Sequence, residues 1–201
     1  MNPWRSIWFR PQETIASIVK KEPERLVPDL AIFGGVISAF NGAFESKMGD
    51  SYGVIGIVFV SICLGAIFGW LSLYICSALI YWTGKWLNGK APIEHIRSAL
   101  SWSNVPIIWT LAFWIIVIAI FQKELFQSDI PTIKSHFPLA FIYAIFFLWL
   151  FVVQCWTFII FVRCLGQVQN FSIWKSILNI ILPSIVIVVP LFGIALINRY
   201  L

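Results

Sequence analysis

The chain has 201 residues, of which 60% are apolar and only 11% are charged, whereas a soluble domain carries about 25% charged residues. A soluble domain of this length could not bury so much apolar surface, so most of the chain must be solvated by lipid, with no room for a separate soluble domain. The net charge is +5. Because the basic residues flank apolar runs and form no patch, we expect no nucleic-acid partner.

Residues 1–25 form a basic, aromatic segment ahead of the first long apolar run. Pro3 predicts a helix start, after which Trp4 and Trp8 recur at helical spacing, and Pro11 predicts a second short helix. An apolar stripe with basic edges is typical of a helix lying in the plane of an anionic leaflet. Alternatively, the two tryptophans cap the helix bundle. Arginines precede any apolar run, so we expect no cleavable signal peptide.

Five apolar runs are predicted to cross the membrane as helices. Residues 53–81 carry no charged side chain, and at about 1.5 Å per residue this run exceeds the roughly 30 Å hydrocarbon layer. The predicted spans are residues 26–44, 53–81, 105–121, 137–165 and 173–197, the last bent at Pro183 and Pro190. The predicted fold is all-α: a polytopic membrane bundle of five transmembrane helices over residues 26–201, with an N-terminal amphipathic interfacial helix.

The distribution of Lys and Arg predicts which way the bundle faces. Ten of the 14 lie in the N-terminal segment, the connector 82–104 and the turn 163–175, and four lie in the alternate segments. The positive-inside rule then places the N-terminus in the cytoplasm and the C-terminus outside. The candidate cytoplasmic surface comprises Trp4, Trp8, Lys85, Lys90, Arg97, Arg163 and Lys175.

A ridge of small residues runs along the second span. Ser61, Gly65 and Gly69 recur every four residues, a pattern that lets another helix backbone approach closely. We favour another span of the same chain as the partner over a second copy of the protein, because the five spans must first pack on one another.

Few polar residues fall inside the predicted spans. The candidates are Asp29, Asn41, Gln154 and Asn179. An intramembrane carboxylate is a functional candidate by default, but Asp29 follows Pro28 in a first helical turn, where the helix dipole favours an anion. Gln154 more often supplies a hydrogen bond between helices than a substrate contact.

The connector between the second and third spans contains an amphipathic helix. Pro92 predicts its start, and Ile93, Ile96 and Leu100 share one face. The helix is expected to lie along the cytoplasmic surface. It is either a docking platform for a partner or for lipid headgroups, or a solvated connector, and we favour the solvated connector.

No recognisable catalytic or metal-binding pattern occurs in the chain. His95 and His136 fall on opposite predicted sides of the membrane, so they cannot share a site. The four cysteines lie in apolar runs without a Cys-x-x-Cys pair, and there is no phosphate-binding glycine loop. We therefore expect no catalytic residue, no cofactor and no metal, and an enzyme is not favoured.

Two turns resemble each other. Residues 88–106 and residues 166–183 each follow a 29-residue apolar run, contain a glycine turn, start a short helix with an Arg-Ser or Lys-Ser pair and end at Pro. Such a parallel repeat, in which spans four and five echo spans two and three, is known in some transporters. Apolar helices also resemble one another by chance, so the sequence leaves both interpretations open.

These two turns, with Ile-Arg-Ser-Ala-Leu-Ser in the first and Phe-Ser-x-Trp-Lys-Ser in the second, resemble the Yip-domain family of five-span membrane proteins. The opening Asn-Pro-Trp-Arg-Ser-Ile-Trp is similar to the start of its short prokaryotic members. The resemblance implies a five-span bundle with a cytoplasmic N-terminus, here in a prokaryotic cytoplasmic membrane. Eukaryotic relatives are linked to vesicle traffic and Ypt/Rab-type small GTPases, partly through a longer N-terminal region, so a GTPase partner is not favoured for this chain.

Two functional hypotheses follow. The leading one is a non-enzymatic membrane-organising or adaptor protein that works through its cytoplasmic face, with membrane lipids and a protein, or a second copy of this chain, as partners. The other is a small transporter or lipid-translocating protein whose polar path would be lined by the four intramembrane polar residues named above.

Overall fold

The computed structural model describes the backbone of residues 2–200 and the side chains of residues 2–186. Over this part the chain forms nine α-helices and no strand. The helices are α1 Pro3–Ser6, α2 Pro11–Lys21, α3 Val27–Glu45, α4 Val54–Trp86, α5 Ile93–Ser103, α6 Val105–Phe121, α7 Pro131–Ser135, α8 Phe137–Gln169 and α9 Ile173–Tyr200. Short 3-10 turns occur at Met48–Asp50 and Gln122–Phe126.

Four helical stretches are long and apolar enough to cross a membrane: Val27–Glu45, Val54–Trp86, Ile93–Phe126 and Phe137–Gln169. Helix α9 is also apolar over Ile173–Val186. The predicted all-α membrane helix bundle is therefore confirmed, while the count of five spans stays a prediction.

The helix bounds differ from the predicted spans mainly at two C-termini. Helices α4 and α8 each have 33 residues and continue beyond the predicted ends at residues 81 and 165. The extra turns are polar, so hydropathy alone did not mark them as helical. Helix α9 is continuous through Pro183; the side chains of Pro190 and Arg199 lie outside the described residues.

Helices α3 and α4 form the most extensive helix pair in the described structure. Gly65 and Gly69 of α4 are buried against Gly35 and Val36 of α3, and Ser61 lies one turn away on the same buried ridge. A Cβ atom on Gly65 would lie 2.6 Å from the Cα of Val36, and one on Gly69 would lie 2.7 Å from the Cα of Gly35. The ridge predicted from the sequence thus contacts α3 of the same chain.

The two long helices α4 and α8 end in the same way. In each, a glycine carbonyl accepts the backbone N–H five residues later: Gly84 from Gly89 at 2.8 Å and Gly166 from Phe171 at 2.9 Å. The residue before each donor, Asn88 or Asn170, has positive φ, as the left-handed cap of a Schellman motif requires. A shared Gly-x-x-x-Asn end followed by a returning helix is the structural counterpart of the repeat seen in the sequence.

The N-terminal segment is folded onto the bundle. Ile7 and Ile15 are 0% exposed, and α2 packs against α5 and α8. The ring of Trp4 meets that of Trp102 edge to face, with centroids 5.7 Å apart. Of the two alternatives left open by the sequence, the structure therefore shows the aromatic segment capping the bundle, with much of its apolar stripe covered by protein.

At the opposite end of the bundle, polar side chains hold the loop that follows α6. The carboxylate of Asp50 accepts the backbone N–H of Ser128 at 3.0 Å, and Glu124 accepts those of Thr132 and Ile133 at 2.7 and 3.1 Å. The Ser128 hydrogen bond lowers the pKa of Asp50 below its ordinary value, with help from nearby Lys123 and Lys47.

We expect the order of this loop to depend on pH through Asp50. Because the pKa is lowered in the folded protein, the contact contributes fully above the unfolded pKa of about 3.9 and is lost as pH falls through the folded value. Limited proteolysis should therefore cut residues 127–136 faster at strongly acidic pH than at neutral pH. Asp50→Asn should remove most of the pH dependence of cleavage next to Ser128; an unchanged pH profile of cleavage there would contradict the assignment.

Candidate functional site

Helix α5 lies at the centre of the end of the bundle that carries the N-terminal segment. Its residues Ile96, Ala99 and Trp102 are buried, and it packs against α2, α3, α4 and α8. The expectation of a solvated connector is therefore wrong, while a docking role for a partner or for lipid headgroups stays a prediction. The helix is no solvated connector, and it offers no free apolar face as a platform, because that face is already covered by four other helices.

Arg97 of α5 is the predicted surface residue that the structure ties most firmly to another element. Its Nε donates to the Glu24 carboxylate at 2.9 Å, and its guanidinium lies 5.2 Å from the centre of the Tyr74 ring. Ser98, one residue on, donates its hydroxyl to the carbonyl of Pro23. These contacts fasten the link between α2 and α3 onto α5.

The other predicted surface cations remain accessible. Lys85, Lys90, Arg163 and Lys175 are exposed, and none of the ion pairs found among the described residues includes them. Lys85 and Lys175 each lie over an aromatic ring, Tyr81 and Phe171, at 4.8 and 5.8 Å. We call the surface formed by these four cations together with α1 and α2 the basic face.

The four predicted intramembrane polar residues differ in how deeply they are buried. Asp29 and Gln154 are exposed on the surface of the protein, Asn41 is half-buried and Asn179 is buried. The Thr83 hydroxyl donates to the side-chain carbonyl of Asn179 at 2.8 Å, linking α4 to α9. No hydrogen bond among the described residues joins two of the four.

Gln169 is a buried polar residue that the sequence interpretation missed. It is 2% exposed, its Oε1 accepts the backbone N–H of Ala91 at 3.2 Å, and its amide fills the space above Gly84 and Gly89. It therefore joins the end of α8 to the turn after α4. The Gly-x-x-x-Asn pattern at both helix ends was the signal that could have revealed this junction.

A cleft of about 300 Å³ opens between α1, α2 and the end of α5. Aromatic and aliphatic side chains meet basic ones in its walls. The lining residues are Pro3, Trp4, Ser17, Ile18, Lys21, Glu22, Arg25, Leu26 and Trp102. Its volume is at the lower end of the range for small-ligand sites, and its position brings charged groups next to the start of α3.

The apolar spanning helices, the tightly packed glycine crossing and the capped end define a multi-pass, all-α membrane protein. The family model for the Yip1 domain matches residues 5–195, and the chain belongs to the Yip1 domain family. The predicted resemblance to the Yip-domain family is thereby confirmed, while the count of five spans and the short prokaryotic type stay predictions. No curated protein and no solved structure matches the chain.

Proposed function

We propose that this protein is a non-enzymatic adaptor of the cytoplasmic membrane, with the basic face in the cytoplasm, and that it recruits a protein partner there. The observation that carries the proposal is the ordered packing of the N-terminal segment, in which Ile7 and Ile15 are fully buried. The segment is thus part of a preformed surface. A preformed surface loses little conformational entropy on binding.

The charge of the basic face indicates the chemistry of the partner. Four cations without an ion pair among the described residues, Lys85, Lys90, Arg163 and Lys175, would attract an acidic surface and speed its encounter. Two aromatic side chains provide contact area on the same end of the molecule, because Phe9 is 82% and Trp174 is 81% exposed. Aromatic side chains are typical of interface centres, and charged groups are typical of the surrounding rim.

The transporter alternative receives no comparable support. It needs the polar side chains of several spans to line one path, whereas Asp29 and Gln154 are exposed and Asn179 is paired with Thr83. A buried amide bonded to a neighbouring helix is an ordinary packing device in membrane bundles. We therefore retain the adaptor function alone.

Site-specific photocrosslinking in native membranes tests the adaptor proposal. A benzophenone amino acid would replace Phe9 or Trp174 on the basic face, with Phe137 as the control, because Phe137 is 81% exposed at the far end, where α8 begins. We expect Phe9 and Trp174 probes to trap the same acidic protein and the Phe137 probe not to. Lipid adducts alone at all three positions would overturn the proposal.

A further inference from the structure

The cleft between α1, α2 and α5 lies beside the starts of two helices that are apolar enough to cross a membrane, which in an embedded bundle is the depth of the lipid headgroups. One wall contains Leu26, which directly precedes the apolar helix α3, and another contains Trp102, which lies three residues before Val105 at the start of α6. The cleft is thus bracketed by the first residues of two membrane-spanning helices. Tryptophan is enriched at this boundary, where its ring is apolar and its N–H needs a polar partner.

The inner walls of the cleft are apolar. Trp4 and Trp102 meet edge to face, and Ile18 and Leu26 complete the apolar lining. Trp102 is 2% exposed, and its indole N–H has no acceptor among the described residues. This donor is sealed from the cleft, so the inner walls offer a bound headgroup apolar contact and no hydrogen bond from Trp102.

The rim of the cleft is basic. Lys21 and Arg25 are both exposed lining residues. Arg25 is 3.5 Å from Glu22, and with both side chains largely exposed this ion pair is weak. Lys21 is in no ion pair found among the described residues. The rim therefore carries one positive charge in excess, next to the membrane surface.

We propose that this cleft is a binding site for the headgroup of an anionic phospholipid. The phosphate binds between Lys21 and Arg25, the glycerol region contacts Trp4 and Leu26, and the acyl chains pass into the bilayer beside α3. The proposal is separate from the adaptor function, since the cleft requires no protein partner and the photocrosslinking positions lie outside its walls.

Native mass spectrometry of the full chain, released from vesicles of mixed phosphatidylglycerol and phosphatidylcholine, tests the site. Lys21→Gln combined with Arg25→Gln removes the rim charge. The control, Lys85→Gln combined with Lys90→Gln, removes the same charge from the same end of the molecule but outside the cleft. Because the cleft variant loses two charge-assisted contacts to the bound phosphate and the control loses none, we expect the cleft variant to lose about tenfold in retention of phosphatidylglycerol and the control to lose less than twofold.

A steric variant keeps the test decisive if the charge variant folds poorly. Ser17 lines the cleft and is exposed, so Ser17→Trp should fill the cleft and reduce phosphatidylglycerol retention with every charge intact. Equal losses in the cleft and control variants, or no preference of the wild type for phosphatidylglycerol, would overturn the proposal. So would inorganic phosphate binding at the rim in neutral vesicles without any preference for the anionic lipid.

Discussion

Replacing Gly35 by alanine is expected to lower the free energy of unfolding by about 3 kcal/mol, the upper part of the range for overpacked sites. A Cβ atom at this position would overlap the carbonyl oxygen of Gly65 and lie 2.7 Å from the backbone nitrogen of Gly69. Both neighbours are helix backbone, which cannot rotate away as a side chain can. The substitution must therefore separate α3 from α4 along their closest contact.

Gly56→Ala is the matched control for Gly35→Ala. Gly56 lies in α4, and a Cβ atom there would have no other atom within 4 Å. Since alanine favours the helix over glycine, we expect no loss and a gain of up to about 1 kcal/mol. Unfolding by SDS in mixed micelles, monitored by circular dichroism, measures the free energy of unfolding of both variants. Equal effects of the two substitutions would refute the close crossing of α3 and α4.

The substitution Gln169→Leu should destabilise the protein by about 2 kcal/mol. It keeps the approximate size of the side chain but removes the acceptor of the Ala91 N–H, which is then left unpaired in a buried site. Leucine is also branched where the flat amide fits above Gly84 and Gly89. We expect the largest local loss of stability at this junction, where α8 contacts the turn after α4.

Gln167→Leu serves as the control for this junction, because Gln167 is exposed two residues earlier in the same helix. Hydrogen exchange would show where the effect is localised: protection of the Ala91 amide should fall in Gln169→Leu and remain in Gln167→Leu. Unaltered exchange at Ala91 in both variants would show that Gln169 does not hold the turn.

The spanning helices were largely predictable from the sequence, and the physical reason is simple. A charge-free run longer than the hydrocarbon layer has few alternatives to a membrane helix, and α6 begins and ends as predicted, at Val105 and Phe121. The small-residue ridge was predictable because only small side chains allow close backbone contact. The end of α4 was harder to predict, because residues 82–86 are polar enough to resemble a connector.

The amphipathic pattern of the connector helix predicts a solvated polar face, whereas the structure buries much of that face. Ser98, Ser101 and Ser103 are buried in the structure. Small hydroxyl side chains pack closely in membrane bundles and can satisfy themselves locally, as when Ser103 donates to the Leu100 carbonyl. In α5, the serines therefore mark a tightly packed helix face, although the amphipathic pattern predicts that this face is exposed.

The intramembrane polar residues show what hydropathy cannot predict. Which polar side chain is buried depends on the rotation of each helix, and the apolar stretches of α8 and α9, which contain Gln154 and Asn179, carry no strong periodic signal that would set that rotation. Asn179 is buried and Gln154 is exposed, although both interrupt apolar stretches. Gln169 escaped notice because it lies just after the predicted end of its span.

The most direct test is to determine on which side of the membrane each end of the helix bundle lies. The native cysteines would first be replaced. A single cysteine would then be introduced at Ser17 on the α2 surface or at Ser128 in the loop after α6, and intact cells would be treated with a membrane-impermeant maleimide. Both serines are exposed. We predict that Ser128→Cys is labelled in intact cells and that Ser17→Cys is labelled only after the membrane is disrupted. Labelling of both positions from outside intact cells would contradict a cytoplasmic basic face.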